Sequence, residues 1–254
     1  MVAVQGNEGS LRLLPAGNAS EWTGPTGNNT YLLPAAPSVL IDAGIGETGH
    51  LESIAVELAG APLALVLVTH GHLDHMAGAP SLSVRWPRVV LRGAAVGQPI
   101  ADGELFDAGG TRLRAIHTPG HAPDHFCFHD EGTRELFCGD LVRIGGTVVI
   151  PASRGGNLRE YVESLRRIRH LSPIRLRPAH GPAIEDPTAV IDEYIEHRRS
   201  RHRQIASARD AGCYTPAEIV ALVYRGLAPA LTAAAEDTVR AHLQALDAGD
   251  DLLA

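Results

Sequence analysis

Short apolar runs parted by glycine, proline and asparagine fill the first part of the chain. Leu11-Arg12-Leu13-Leu14, Thr30-Tyr31-Leu32-Leu33 and Val39-Leu40-Ile41-Asp42 predict the strands of a sheet meander. Residues 47–59 read as a helix leading into Leu63-Ala64-Leu65-Val66-Leu67-Val68, which is apolar throughout and predicts a fully buried strand. A strand-rich stretch follows from 88 to 150, and Asn157 stands where it can cap a helix running to about residue 170. The pattern is α/β: two mixed sheets between helices.

After Pro187 the texture changes. Val190, Ile191, Tyr194 and Ile195 have helical spacing, and the helix is expected to continue through Arg198, Arg199, Arg201 and Arg203. Thr215-Pro216-Ala217-Glu218 combines a capping threonine, a first-turn proline and a glutamate three residues on, a strong helix start. Ile219, Val220, Leu222 and Val223 form that helix's apolar stripe, and a further helix is expected over 231–247 with Val239, Leu243 and Leu246 inward. This divides the chain into a larger domain, 1–186, and a helical module, 187–254.

Composition narrows the setting. A chain of 254 residues can bury one sizeable core and a smaller second one. Met1–Glu8 lacks a basic region followed by an apolar one, and no apolar run is long enough for a bilayer, so neither a secretory signal nor a membrane partner is expected. Three cysteines at irregular spacing argue for a reducing compartment, and the expected location is cytoplasmic. All 22 basic residues are arginine, and the net charge is −7.

The chemistry lies in Thr69-His70-Gly71-His72-Leu73-Asp74-His75, directly after the buried strand. Alternate spacing sends His70 and His72 the same way from an extended chain, while Asp74 and His75 follow as the backbone turns. Further candidates sit at later strand ends beside glycine or proline: His121 in Pro119-Gly120-His121, Asp140 in Cys138-Gly139-Asp140, and His180 in Ala179-His180-Gly181. Such a set of imidazoles and carboxylates suits divalent ions such as Zn²⁺.

The ordered set His-x-His-x-Asp-His, then His121, Asp140 and His180, resembles the metallo-β-lactamase fold superfamily, which implies an αββα sandwich. Carried over by position, His70, His72 and His121 would hold a first metal. Asp74, His75 and His180 would hold a second, with Asp140 bridging. The resemblance implies two-metal hydrolysis with a bridging water, Asp74 being the natural acceptor of its proton. Zn²⁺ is the default ion, with Fe and Mn as alternatives. Neither Cys127 nor Cys138 takes a ligand position, so the antibiotic-hydrolysing branch fits poorly. His72 stands where the flavodiiron branch carries an acidic residue. Asp42 before Ala43-Gly44 resembles the family's early Asp-x-Gly turn, either supporting the metal loop or serving as a plain turn aspartate.

Gly139-Asp140-Leu141, Asn157–Leu165, Pro178–Pro182, Tyr194–Arg198 and the Thr215-Pro216 helix resemble the β-lactamase-like protein 2 group, hydrolases with a C-terminal winged-helix-like domain. The group's usual Gly-Thr-Asn-Thr-Tyr is Gly27-Asn28-Asn29-Thr30-Tyr31 here, and Pro151–Gly156 departs from the group as well. Two substrate classes follow: an ester, thioester or lactone on a small-molecule or carrier-bound acyl group, and, as the alternative, single-stranded RNA cut by an endoribonuclease. Net charge and 4% aromatic content count against RNA, since polyanions need basic surface and bases need stacking platforms. A DNA-binding regulator fits worst, because helix 231–247 carries Glu236, Asp237 and Asp247 against Arg240 alone. The module is expected instead to pack on the catalytic domain, roof the active site or form a homodimer contact.

Other residues have plainer readings. His117 is expected to be a structural imidazole, whereas Asp124 and His125 resemble a family position near the metals. His129, His170, His197, His202 and His242 read as surface or helix-packing residues. The arginines at 198–203 read as solvated and paired with Glu193 and Glu196.

Overall fold

The computed structural model describes residues 11–93 and 96–249; the stretch Met1–Glu8, on which the expectation of no secretory signal rests, lies outside them. Two compact units are present. One takes the described residues up to His117 with Asp124–Gly145 and Pro173–Glu185; the other takes Thr118–Pro123, Gly146–Ser172 and the chain from Asp186 onward.

In the first unit, β1 (Arg12–Pro15), β2 (Asn29–Leu33), β3 (Val39–Ile41), β4 (Leu65–Leu67) and β5 (Val90–Arg92) form one sheet in that order. The second sheet runs β10-β9-β8-β7-β6, from β6 (Leu105–Ala108), β7 (Thr111–His117), β8 (Phe126–Asp130), β9 (Glu135–Gly139) and β10 (Arg175–Pro178). Strands β3, β4 and β5 are parallel, as are β9 and β10, and the remaining neighbours are antiparallel.

Alternation along the strands explains the sandwich. Tyr31, Leu33, Val39, Ile41 and Leu67 share a core with Phe106, Leu113, Ala115, Phe126, Phe128 and Phe137 of the second sheet. The intervening Leu32, Leu40 and Val66 point the other way, to Ile54 and Leu58 of α1 (Thr48–Leu58) and Leu82 of α3 (Ala79–Arg85). One register thus serves both faces of the first sheet, and a slip by one residue would exchange them. Short α2 (Leu73–Met76) carries the end of the histidine motif.

The second unit holds α4 (Leu158–His170), α5 (Pro187–Asp210), α6 (Pro216–Val223) and α7 (Thr232–Asp247). Asn157 caps α4 through Glu160 N–H at 3.0 Å, and Thr215 with Glu218 closes a full capping box on α6. Ile205, Ala208, Ile219, Val220, Ala235 and Val239 form this unit's core, with Leu243 and Leu246 packed against it.

The strand-rich stretch ends at Gly139, and Gly146–Ile150 is irregular despite its apolar pattern. Its polar groups go to helices instead. The Tyr194 hydroxyl donates to Gly146 O at 3.1 Å, Arg198 donates to Thr147 Oγ1 at 3.1 Å and Val148 O at 2.5 Å, and Ile150 N donates to Thr238 Oγ1 at 3.3 Å.

Arg198 is therefore not the solvated residue its sequence neighbourhood suggests: only 1% exposed, it lies over the Tyr161 ring at 4.9 Å. Arg199 and Arg203 do pair at the surface, both with Glu196. His202 and His242 are buried helix-packing residues with their Nδ1 atoms 3.2 Å apart. Among the described residues, no helix is long and apolar enough to cross a membrane.

Candidate metal centre

In the first unit the motif residues gather where β3, β4, β9 and β10 end, and backbone bonds join the loops. Ala43 N donates to His75 O at 2.7 Å, Phe126 N to Thr69 O at 2.8 Å, and Ala179 N to Gly139 O at 3.0 Å. Asn29 ties β2 to the His180 loop: its backbone donates to Ala179 O at 2.7 Å, and its amide to Pro178 O and Gly181 O at 3.0 and 2.8 Å.

His75 and His180 both point Nε2 at carboxylate oxygens. His75 Nε2 lies 3.5 Å from Asp74 Oδ2 and 3.6 Å from Asp140 Oδ2, and His180 Nε2 lies 3.5 Å from Asp74 Oδ2 and 3.1 Å from Asp140 Oδ1. Ligand atoms held at about 2.0–2.2 Å by a tetrahedral ion stand roughly 3.3–3.6 Å from one another. The donor set therefore fits a divalent cation. His70 comes within reach as well, because His70, His75 and Asp140 can bring one ligand atom each within 4.8 Å of the others.

His70 Nε2 also lies 2.9 Å from His72 Nδ1, a separation at which two imidazole nitrogens need a shared proton or a shared cation. His121 belongs to the second unit. Its Nδ1 lies 2.7 Å from Val149 O, so that nitrogen carries the proton and Nε2 keeps its lone pair. Its loop is fixed by Asn157 N donating to Gly120 O at 2.8 Å.

A ring of supporting contacts sets the orientation of these side chains. Asp42 is 2% exposed and adopts φ 63°, a left-handed conformation costly for most residues but tolerated by aspartate. From there its carboxylate accepts from Thr69 N at 2.8 Å, Thr69 Oγ1 at 3.1 Å and His75 Nδ1 at 2.8 Å. A carboxylate behind a histidine fixes the tautomer that leaves Nε2 for a metal. Of the two readings of Asp42, the supporting role is the one the contacts bear out.

His125, fully buried, accepts the Asp140 backbone N–H on Nε2 at 3.1 Å. Gly139, at φ 49°, leaves no room for a Cβ between His125 and Thr69, so the loop packs directly onto that ring. His117 ends β7 with its ring 4.9 Å from Phe126, as befits a structural imidazole.

Electrostatics couple these buried groups to one another. Burial alone would lower the His75 pKa, yet the Asp42 and Asp140 carboxylates outweigh it and hold the imidazole well above its ordinary value. Burial would likewise raise Asp140, but His180 and His75 keep its carboxyl well below the usual range. Burial pushes the Cys138 thiol up, and its Sγ donates to Val142 O at 3.7 Å rather than joining the histidines and carboxylates.

In the sequence Asn28 stood out only as the one departure within Gly27–Tyr31, and Asn29 only as a match to the group's motif. Their contacts are long-range, which local pattern does not encode.

The chain belongs to the metallo-β-lactamase superfamily, whose sequence profile matches residues 23–98 and 91–180. A second profile, described as the beta-lactamase associated winged helix domain, matches residues 215–250. Lactamase-like protein adaB of Aspergillus niger is 37% identical, with 79% of this chain and 69% of that protein aligned. An atrochrysone carboxyl ACP thioesterase of Aspergillus fumigatus is 36% identical over 72% of this chain, which spans 59% of that protein's length. A beta-lactamase domain protein from Burkholderia ambifaria shares the fold, with a TM-score of 0.82 at 24% identity over 95% of this chain and 87% of that one. The fold is the metallo-β-lactamase α/β sandwich with a C-terminal winged helix domain, and the chain is a metal-dependent hydrolase.

Proposed function

We propose that this enzyme hydrolyses an acyl thioester, on a carrier protein or a small thiol, with two divalent ions. His70, His72 and His121 would hold the first, Asp74, His75 and His180 the second, with Asp140 between them. The observation that carries hydrolysis is the convergence of Asp74, His75, Asp140 and His180 at ligand spacing. The thioester reading is supported by the thioesterase relative. Esters and lactones present the same polarised carbonyl and stand next. The nitrogen-rich set suits Zn²⁺, with Fe and Mn as alternatives.

When bound, the ions supply Lewis acidity that acidifies water and polarises the scissile carbonyl. The chain's own residues do the rest. Asp42 holds His75 in one tautomer, His125 holds the Asp140 loop, and Asn29 holds the His180 loop. Asp74 takes a proton from water as the water oxygen adds to the acyl carbon. The C–S bond then breaks, and the leaving sulfur recovers that proton.

The endoribonuclease reading lacks a basic face on α5. Arg198 is buried, Arg199 and Arg203 share Glu196, and the net charge is −7. A panel on metal-verified protein tests the choice, using an acyl-pantetheine thioester, a lactone and single-stranded RNA. The thioester should turn over fastest at two ions per chain; RNA cleavage without thioester turnover would reverse the assignment.

A further inference from the structure

We propose that Asn28, locked by Asn18, is a positioning residue that fixes which oxygen of Asp74 faces the second metal position. The inference rests on the dinuclear reading above and adds to it a device built from residues outside the histidine motif.

The orientation of both amides follows from one donor that cannot be reversed. The backbone N–H of Asn28 lies 2.9 Å from Asn18 Oδ1, and a backbone N–H only donates, so that atom is the amide oxygen. Asn18 Nδ2 is then the donor to Asn28 Oδ1, at 2.8 Å. With its oxygen engaged, Asn28 turns its Nδ2 towards Asp74 Oδ2 at 3.1 Å and His75 Nε2 at 3.4 Å.

The turn is built to keep this arrangement. Thr23 Oγ1 donates to Asn18 O at 2.6 Å. Gly27 adopts φ 75°, and a Cβ there would stand 2.5 Å from Asn18 Oδ1, so no side chain can enter. Asn28 is fully buried, whereas the Asp74 side chain keeps 31% of its surface exposed.

The consequence is a division of labour between the two oxygens of Asp74. Oδ2 takes the Asn28 N–H and stands 3.5 Å from both His75 Nε2 and His180 Nε2, the position of a ligand atom. Oδ1 is left to accept the proton of water. Without the amide the carboxylate can rotate and exchange the two roles. This residue is also where Gly27-Asn28-Asn29 departs from the threonine usual in the resembling group.

The test uses the full-length protein with Asn28→Asp, which keeps the shape and removes the donor, and Asn18→Ala, which releases the lock from a half-buried site. Zn²⁺ affinity is read by chelator competition, and the ligand field by Co²⁺ absorption. Removal of a group that orients a metal ligand costs about 10–100-fold in affinity. That loss is expected at the more weakly held of two ions for Asn28→Asp, with a changed Co²⁺ spectrum and a smaller loss for Asn18→Ala. On the thioester, kcat should fall while KM stays within about twofold.

Unchanged Zn²⁺ affinity and Co²⁺ spectrum in folded Asn28→Asp would overturn the inference. If that variant fails to fold, a folded Asn18→Ala with both readouts at wild-type values overturns it instead. The titration decides the matter whether or not the thioester turns over. Failure of the wild-type protein on the thioester would count against the substrate reading alone.

Discussion

Asp140 offers its two oxygens to different histidines, Oδ2 at 3.6 Å from His75 and Oδ1 at 3.1 Å from His180. Asp140 also brings a ligand atom within 4.8 Å of those of His70 and His75, one histidine from each proposed set, and can therefore stand between two ions. Asp140→Ala is therefore expected to lose one of two ions and to lower kcat by about 10³-fold, since metal-borne charge stabilisation is worth several kcal/mol and each ~1.4 kcal/mol is tenfold. Elemental analysis alongside turnover checks this; near-normal values of both would show that Asp140 is no ligand. A second residue reports on stability rather than catalysis. His50 is 2% exposed, and its Nε2 lies 2.8 Å from Thr30 Oγ1. That hydroxyl already donates to Leu14 O at 2.9 Å, so His50 must donate to it and is held neutral, with burial pushing its pKa down to about 4. Between pH 6.5 and about 4 the unfolded chain takes a proton there and the folded chain does not. Stability from this group is thus complete above pH 6.5 and is lost as pH falls towards 4, by roughly 2–3 kcal/mol. In denaturant titrations His50→Gln should flatten that acid limb by about this amount; an acid limb identical to wild type would refute the assignment.

Elements were legible in the sequence where their information is local. The caps at Asn157 and Thr215 and the short strands β2 and β3 each lie within a few residues and formed as expected, while the apolar run over 63–68 gives a shorter strand, Leu65–Leu67, that is not buried throughout. The candidate ligand residues stood out for the same reason, as a motif plus loop ends. What was not legible depends on distant partners: the buried Arg198, the Asn18–Asn28 lock, and Gly146–Ile150, whose apolar side chains mimic a strand while its polar groups bond to α5 and α7. Two predictions follow at this scale. Thr215→Ala removes half of the capping box on an eight-residue helix and should destabilise the protein by ~1 kcal/mol. Arg198→Leu leaves Val148 O without its buried donor and should cost about 1–3 kcal/mol more than Arg203→Leu at the surface. Equal losses for the two arginines, measured by chemical denaturation, would mean that the buried contact contributes nothing.

At the scale of the whole molecule, the compact second unit is assembled from pieces on both sides of residue 187. It takes Thr118–Pro123 and Gly146–Ser172 together with the chain from Asp186 onward. Within it, Ser153 N and Oγ donate to Asp237 of α7 at 3.1 and 2.7 Å, and Arg169 of α4 pairs with Asp192 of α5. The Val149 carbonyl that fixes His121 lies between residues bonded to Arg198 and Thr238. Removal of residues 187–254 therefore does more than detach an accessory module. It takes away α5, α6 and α7, strips the helical partners from Gly146–Ser153, and leaves the His121 ring bonded to a segment that has lost its side-chain bonds to α5 and α7. Burial of apolar surface contributes roughly 25 cal/mol per Å². The buried partners lost with Ile191 and Ile195, both on α5, thus amount to several kcal/mol. The truncated protein should aggregate, and any soluble fraction should bind fewer than two ions. Size-exclusion chromatography with elemental analysis decides it: a monomeric 1–186 fragment with cooperative unfolding and two ions would show that the catalytic sandwich stands without its C-terminal helices.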